Sequence, residues 1–252
     1  MAERVRIATF LVALGVVGGG LGWAMLDLPP VDATAADYGL RMIDIAVEQR
    51  QTANAVAAVL FDLRLMDTLG EVFALFAGAV SVQMLLREME QEHTTTPDDR
   101  VGDRPVAATS DAMRIAAARL VAPAALIGIA IIVRGHLSVG GGFQGGVLVA
   151  AAAVLVYVAG RYRQMTRLLP HQVLDAGETV GAAGFAGVAL VGVVVTGALG
   201  ANYLPTGALG SLLSAGTIPV LSVLVGLEAT AAVALIVAEY ARQALQVEGD
   251  VE

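Results

Sequence analysis

Charged side chains are scarce within the long apolar runs of this chain, so the few that occur there stand out. Glu228 falls near the middle of one run, in Val225-Gly226-Leu227-Glu228-Ala229-Thr230. Glu71 lies early in a second run, and Glu178 opens a third. A charge inside a membrane span is costly, and marks an ion or proton path or a paired structural contact. A carboxylate in low dielectric binds and releases protons near neutral pH, because burial disfavours its charged form. Glu71 and Glu228 are therefore the first candidate ion-path acids, with a hydrogen-bonded contact between helices as the alternative for each. Asp62, Arg64 and Asp67 stand close enough in sequence for a local ion cluster at the membrane interface. For Glu178, Asp62 and Asp67 the structural role is the favoured one.

The histidines are His93, His136 and His171, at spacings that suit no common metal motif. His93 and His171 fall in polar stretches and read as solvated. His136 lies at a membrane edge beside a glycine-rich loop, where its titration near neutral pH suits a proton relay, although an interfacial structural role is the favoured one. That loop contains Gly140-x-Gly142-x-x-Gly145, a letter-for-letter match to the dinucleotide fingerprint. The fingerprint needs a preceding strand and an acid about 20 residues on. Here an apolar span precedes it and a basic stretch follows, so a tight turn or close helix packing is the better reading. The chain has no cysteine, which excludes disulfides, thiolate metal sites and iron–sulfur ligation. It has no Ser/His/Asp grouping, no phosphate-binding loop and no basic patch for nucleic acid. No cofactor or resident metal is expected.

The elements that carry these residues are membrane spans. Of the 252 residues, 57% are hydrophobic and only 15% charged, with a mean hydropathy of +0.74. Soluble domains carry about 25% charged residues. A helix crosses the hydrocarbon core with about 20 apolar residues. Six stretches approach that: Val5–Leu26, Thr68–Leu86, Ile115–Val133, Val147–Gly160, Glu178–Leu199 and Ile218–Tyr240. The fourth is short unless the glycines ahead of it are helical. The first follows Arg4 and Arg6, but it is longer than a signal h-region and no A-x-A site closes it, so a retained span is favoured. A short amphipathic helix is expected around Tyr38–Val47. The polar stretch from Glu88 to Asp111 divides the chain into a two-span segment (1–87), a hydrophilic linker (88–111), a four-span domain (112–246) and a polar tail (247–252).

Arginine supplies every basic side chain. With the N-terminus inside, Arg4, Arg6, Arg87, Arg100, Arg104, Arg114, Arg161, Arg163, Arg167 and Arg242 fall on the cytoplasmic side. Arg41, Arg50, Arg64 and Arg134 fall on the other, ten against four. Positive charge accumulates inside. The expected fold is an all-α, polytopic transmembrane bundle of about six spans with both termini cytoplasmic. Crossing strands would show alternating segments of about ten residues instead.

Two segments resemble one family of complexes. Gly135-His136-Leu137-Ser138-Val139-Gly140-Gly141-Gly142-Phe143-Gln144-Gly145-Gly146 resembles the signature of the B subunit (MnhB) of Mrp-type multisubunit Na⁺/H⁺ antiporters. The four-span half matches that subunit in length and layout. One position departs: Val139 stands where the family usually has proline. Asn54-Ala55-Val56-Ala57-Ala58-Val59-Leu60-Phe61-Asp62-Leu63-Arg64, followed by Asp67-Thr68-Leu69-Gly70-Glu71, resembles the C-terminal end of the antiporter A subunit. The same segment stands alone as a small subunit of membrane-bound hydrogenases.

The resemblance implies a non-catalytic subunit in the plasma membrane of a prokaryote, partnered by the other subunits, lipid, Na⁺ and H⁺. It places Asp62, Asp67 and Glu71 near the ion path, with Asp62 and Asp67 as second candidates behind Glu71 and Glu228. It makes His136, Gly140, Gly141, Gly142, Phe143, Gly145 and Gly146 the motif positions. Alternatives are the membrane arm of a redox-driven ion pump, a structural scaffold, or an energy-coupled uptake system.

Overall fold

A computed structural model describes residues 2–26, 31–86, 110–159 and 162–249. His93, most of the expected linker and the last residues of the tail lie outside them. The described residues are helical wherever they are regular, and contain no strand. They fall into two units, Met1–Ile43 and Asp44–Glu252.

The first unit holds α1 (Ala2–Leu26) and most of α2 (Val31–Asp44). The first expected span lies within α1, whose described apolar stretch is Phe10–Gly20. Its side chains there are exposed, Phe10, Val12 and Val16 among them. The amphipathic helix expected from Tyr38 begins earlier, at Val31.

The second unit contains five helices long and apolar enough to cross a membrane. They are α4 (Leu65–Leu85), α5 (Asp111–Val133), α6 (Gly142–Ala159), α8 (His171–Thr196) and α9 (Ile218–Gly249). Two short helices, α3 (Ala55–Ala58) and α7 (Tyr162–Leu168), lie between them. A π-helical turn at Val59–Leu63 joins α3 to α4, and another at Ile45–Gln49 follows α2. All five correspond to expected spans; α4 and α5 begin three and four residues earlier than expected, α9 runs on to Gly249 beyond the expected Tyr240, and the starts of α6 and α8 move most. Helix α6 begins at Gly142, so the motif glycines are helical and the fourth span reaches 18 residues. Helix α8 begins at His171 rather than Glu178, because Pro170 ends the preceding chain in an extended conformation and the helix starts directly after it. The expected basic loop 161–171 therefore holds α7 and the first residue of α8.

Helix α9 is the axis of this unit and packs against α4, α5, α6 and α8. Its 18-residue apolar window is 56% buried, against 17–33% for the others. A helix that is apolar all round belongs in such a centre. The approach is close because glycines face it. A Cβ at Gly146 would stand 2.8 Å from both Ala229 Cβ and the Gly226 carbonyl. A Cβ at Gly142 would collide with the Ser222 carbonyl, and one at Gly145 would lie 2.9 Å from the Ile132 nitrogen on α5. In membranes, where hydrophobicity does not drive helices together, such close packing holds them.

The core forms two apolar clusters. One gathers Phe61, Leu65, Val72, Phe185, Ile218, Leu221 and Val225. The other gathers Ala150, Leu174, Ala231, Ala234 and Leu235.

Candidate functional site

Between those clusters lies a carboxyl seam on α8 and α9. On α9, Glu228 stands between Val225 of one cluster and Ala231 of the other. On α8, Glu178 stands between Leu174 and Ala182 in the same way. Glu228 is 0% exposed and Glu178 3%. Both Glu228 oxygens and Oε1 of Glu178 have no hydrogen-bond partner. The two carboxyls are near enough to interact electrostatically, as are Glu178 and Asp175. Gly181 makes the seam possible: a Cβ there would lie 2.7 Å from the Glu228 nitrogen. Ten residues into α9, Glu228 sits about 15 Å along the helix from Ile218, near the middle of a bilayer core about 30 Å thick.

The seam continues to one end of the bundle. His171 Nδ1 is 3.0 Å from Asp175 Oδ2 and its Nε2 is 2.8 Å from Glu239 Oε1. Glu239 is buried, whereas His171 is about half exposed. His171 is thus held between two helices, not simply solvated. Spacings of four and then three residues put His171, Asp175 and Glu178 on one face of α8.

At the opposite end three loops are tied together. Asn54 caps α3 by accepting from Val56 N (3.1 Å) and Ala57 N (3.3 Å). Its Nδ2 is within 2.7–2.9 Å of the carbonyls of Gly135, Ser138 and Gly140. Thr52 donates its hydroxyl to the His136 carbonyl at 2.6 Å. Leu209 N donates to Gln51 Oε1 at 3.0 Å, and Ser222 on α9 donates to the Ile132 carbonyl at 3.0 Å. His136 lies inside this knot, 0% exposed, with Nε2 3.4 Å from the Ser211 carbonyl and Nδ1 unpartnered. Burial lowers its pKa below the ordinary 6.5, which favours the neutral ring. Gly140, in the left-handed region at φ +108°, turns the chain into α6. Gly141 is buried beside it, Phe143 packs on the first apolar cluster, and Val139 points outward, 96% exposed.

The remaining candidates separate. Asp62 is paired with Arg50, not with Arg64, and its side chain is 5% exposed. Asp67 is paired with Arg64 at an exposed position. Glu71 is exposed on α4. The described structure therefore holds two ion pairs here in place of one cluster, with neither close to Glu228 in sequence or named contact. Asn54, Thr52, Asp175 and Glu239 carry much of the geometry without having been singled out from sequence. An Asn before Ala55-Val56-Ala57-Ala58 is a helix-start signal, and the His171/Asp175/Glu178 spacing is a helix-face signal.

Comparison with known proteins matches both halves of the chain. Residues 112–235 match the family model described as a domain related to the MnhB subunit of Na⁺/H⁺ antiporter. Residues 2–100 match the model for the E subunit of MBH, the membrane-bound hydrogenase. The uncharacterized protein MJ1307 of Methanocaldococcus jannaschii is 29% identical over 195 residues, covering 71% of this chain and 73% of that protein. A chain of the membrane-bound sulfane sulfur reductase, an archaeal respiratory membrane complex, superposes with a TM-score of 0.65 at 26% identity, covering 95% of this chain and 98% of that one. A chain of the Mrp complex from Dietzia sp. DQ12-45-1b has the same fold, with a TM-score of 0.60 at 22% identity. That match covers 95% of this chain but only 26% of the longer one. The protein is a multi-pass membrane chain whose residues 2–100 are similar to the hydrogenase E subunit and whose residues 112–235 are similar to the MnhB subunit.

Proposed function

We propose that the chain is a non-catalytic subunit of a cation/proton antiporter-type membrane complex, and that it contributes to the ion path as well as to assembly. The observation that carries this reading is Glu228: a fully buried carboxyl, mid-span, with no hydrogen-bond partner on either oxygen. A purely structural acid in such a place would be satisfied by donors across the helix interface. An unsatisfied one is suited to a proton or a hard cation, which prefers oxygen ligands.

The other candidates take different roles. His136 is a structural member of the loop knot, since its protonation is opposed there. Asp62 anchors Arg50. Glu71 projects outward from α4, where a charge facing lipid is costly, and is assigned to a surface covered by a neighbouring protein of the complex. The arginine distribution supports cytoplasmic termini, and the likeness to antiporter and hydrogenase subunits supports a prokaryotic plasma membrane with Na⁺ and H⁺ as the ions and lipid around the bundle.

A second reading follows from the end-to-end likeness to a chain of the sulfane sulfur reductase: membership of a redox-driven complex that uses the same ion path. Affinity purification in mild detergent, with co-purifying subunits identified by mass, separates the two. Antiporter subunits alone support exchange, to be followed as Na⁺-driven pH change in vesicles. Metal-bearing redox subunits move the chain to an electron-driven pump. Recovery of the chain without partners would defeat both.

A further inference from the structure

We infer that His171, Asp175, Glu178 and Glu228, with Glu239 beside them, form a proton-access relay that reaches Glu228 from the α8 N-terminal end only. The relay has this role only if the chain is part of an ion-exchanging complex, as proposed above.

Three features point the same way. The first is the pair of buried acids. A carboxylate taken out of water without a partner is strongly disfavoured, so a seam that sets the unpartnered Glu228 beside the buried Glu178 is stable when it holds a proton. The second is spacing. Along α8, His171 to Asp175 is one turn and Asp175 to Glu178 is slightly less, or about 6 and 4.5 Å of rise. Glu228 lies opposite Gly181, about 4.5 Å further on. Each step is within reach of two carboxyl side chains or one intervening water. The third is closure. Beyond Glu228, towards the loop knot, Phe61, Phe185, Leu221 and Val225 are buried against one another. No titratable side chain continues the seam through that cluster among the described residues.

The end groups suit proton entry. His171 is about half exposed, and both its ring nitrogens face carboxylate oxygens, which the imidazolium satisfies by donating from both. A proton arriving there passes to the Asp175 carboxylate, then to Glu178, then to Glu228. At each step one O–H breaks as the next forms, leaving His171 ready to reload. No basic side chain is described on α8 apart from His171. Helix α6 brings Tyr157, α7 the exposed Arg167, and α5 the half-buried Arg114 and the exposed Arg119, none of them paired with Glu178 or Glu228 among the described contacts, while Asp67 and Glu71 on α4 are exposed. No Lys or Arg cation is therefore described as neutralising the buried pair.

Two measurements test the relay. In the first, infrared spectra of the purified full chain are recorded across pH. A carbonyl band of a protonated carboxylic acid is expected, titrating with pH, lost in E228Q and altered in E178Q. Its absence from the wild type at every pH overturns the relay, and so does a band that disappears on adding NaCl at constant pH. In the second, the intact complex is reconstituted in vesicles and Na⁺-driven pH change is followed. E228Q and E178Q should slow proton movement about a hundredfold, with E228D partly restoring it. H171A should slow it too, and imidazole buffer should restore it from one side of the membrane only. Rescue from both sides, or wild-type rates in E228Q at normal complex levels, overturns the relay while leaving the exchange reading standing. If the wild-type complex shows no exchange, that reading fails, and the infrared band alone decides whether the seam holds a proton.

Discussion

Replacing Asn54 tests how the N-terminal segment is fastened to the glycine-rich loop. The side chain does two jobs. Its oxygen caps α3, and its amide nitrogen lies between three loop carbonyls. Losing an N-cap costs about 1 kcal/mol. The amide has two hydrogens, so it supplies at most two full hydrogen bonds, together worth about 2 kcal/mol at the usual net value. Asn54→Ala should therefore destabilise the chain by about 3 kcal/mol. Asn54→Ser keeps a capping oxygen but cannot reach the three carbonyls, so it should cost about 2 kcal/mol. Equilibrium unfolding in mixed detergent micelles, followed by circular dichroism, measures both. Far from the wild type, the two variants should differ from each other by about the value of the cap. A serine variant as stable as the wild type would show that the carbonyl contacts contribute nothing and that the loop is held by packing alone.

Three further outcomes follow from the same geometry. Gly142→Ala, whose methyl would strike the α9 backbone, should cost about 1–3 kcal/mol, whereas Gly187→Ala, with open space around it, should be neutral or slightly stabilising; equal effects in the same unfolding assay would refute the close-packing account. His136 binds its proton less readily folded than unfolded, so the unfolded chain takes up more protons as pH falls through 6.5; stability should be full above that value and decline below it, and His136→Gln should flatten the slope. Arg50→Gln leaves Asp62, with its side chain 5% exposed, without its partner and should cost about 2 kcal/mol, whereas Arg64→Gln, at an exposed pair, should cost less than about 1 kcal/mol, with a double-mutant cycle on Arg50 and Asp62 giving the coupling.

Much of the fold was legible because the bilayer sets helix length. Runs of about 20 apolar residues identified the five spans of the second unit to within a few residues at most ends. The start of α8, seven residues earlier than expected, departs for a reason. His171, Gln172, Asp175 and Glu178 lower the local hydropathy, although Leu174 and Glu178 are buried against α9. Hydropathy reports side-chain type, and burial in a bundle depends on which neighbour covers the face. The same limit explains the acids. Glu71 and Glu228 look alike as single carboxylates in apolar runs, and only the central place of α9 buries one while α4 leaves the other exposed. The motif glycines gave a false nucleotide signal because letters alone cannot distinguish a phosphate cradle from a helix surface that admits another backbone. Asn54 was visible only as part of a longer resemblance, since its partners lie some 80 residues away in sequence.

The two parts of the chain meet where the loops are tied, and this bears on why they are joined. Thr52 and Asn54 belong to the segment matched by the hydrogenase E subunit, and their partners, Gly135 to Gly140, belong to the MnhB-related domain. Leu65 at the start of α4 lies against Gly200 just after α8. Helix α4 also packs along α8 and α9. The interface between the segments is therefore built from side-chain hydrogen bonds to backbone carbonyls, glycine contacts and the Phe61–Phe185 ring pair, whose centroids are 6.4 Å apart. Such contacts are short and directional, and the loop end cannot shift without disturbing the first turns of α6 and α9. The carboxyl seam begins only beyond that cluster. A rigid loop end against a titratable seam gives the bundle one fixed pole and one pole that responds to protons. Covalent joining of the two segments keeps the fixed pole assembled at all concentrations, whatever the surrounding complex does at the other end.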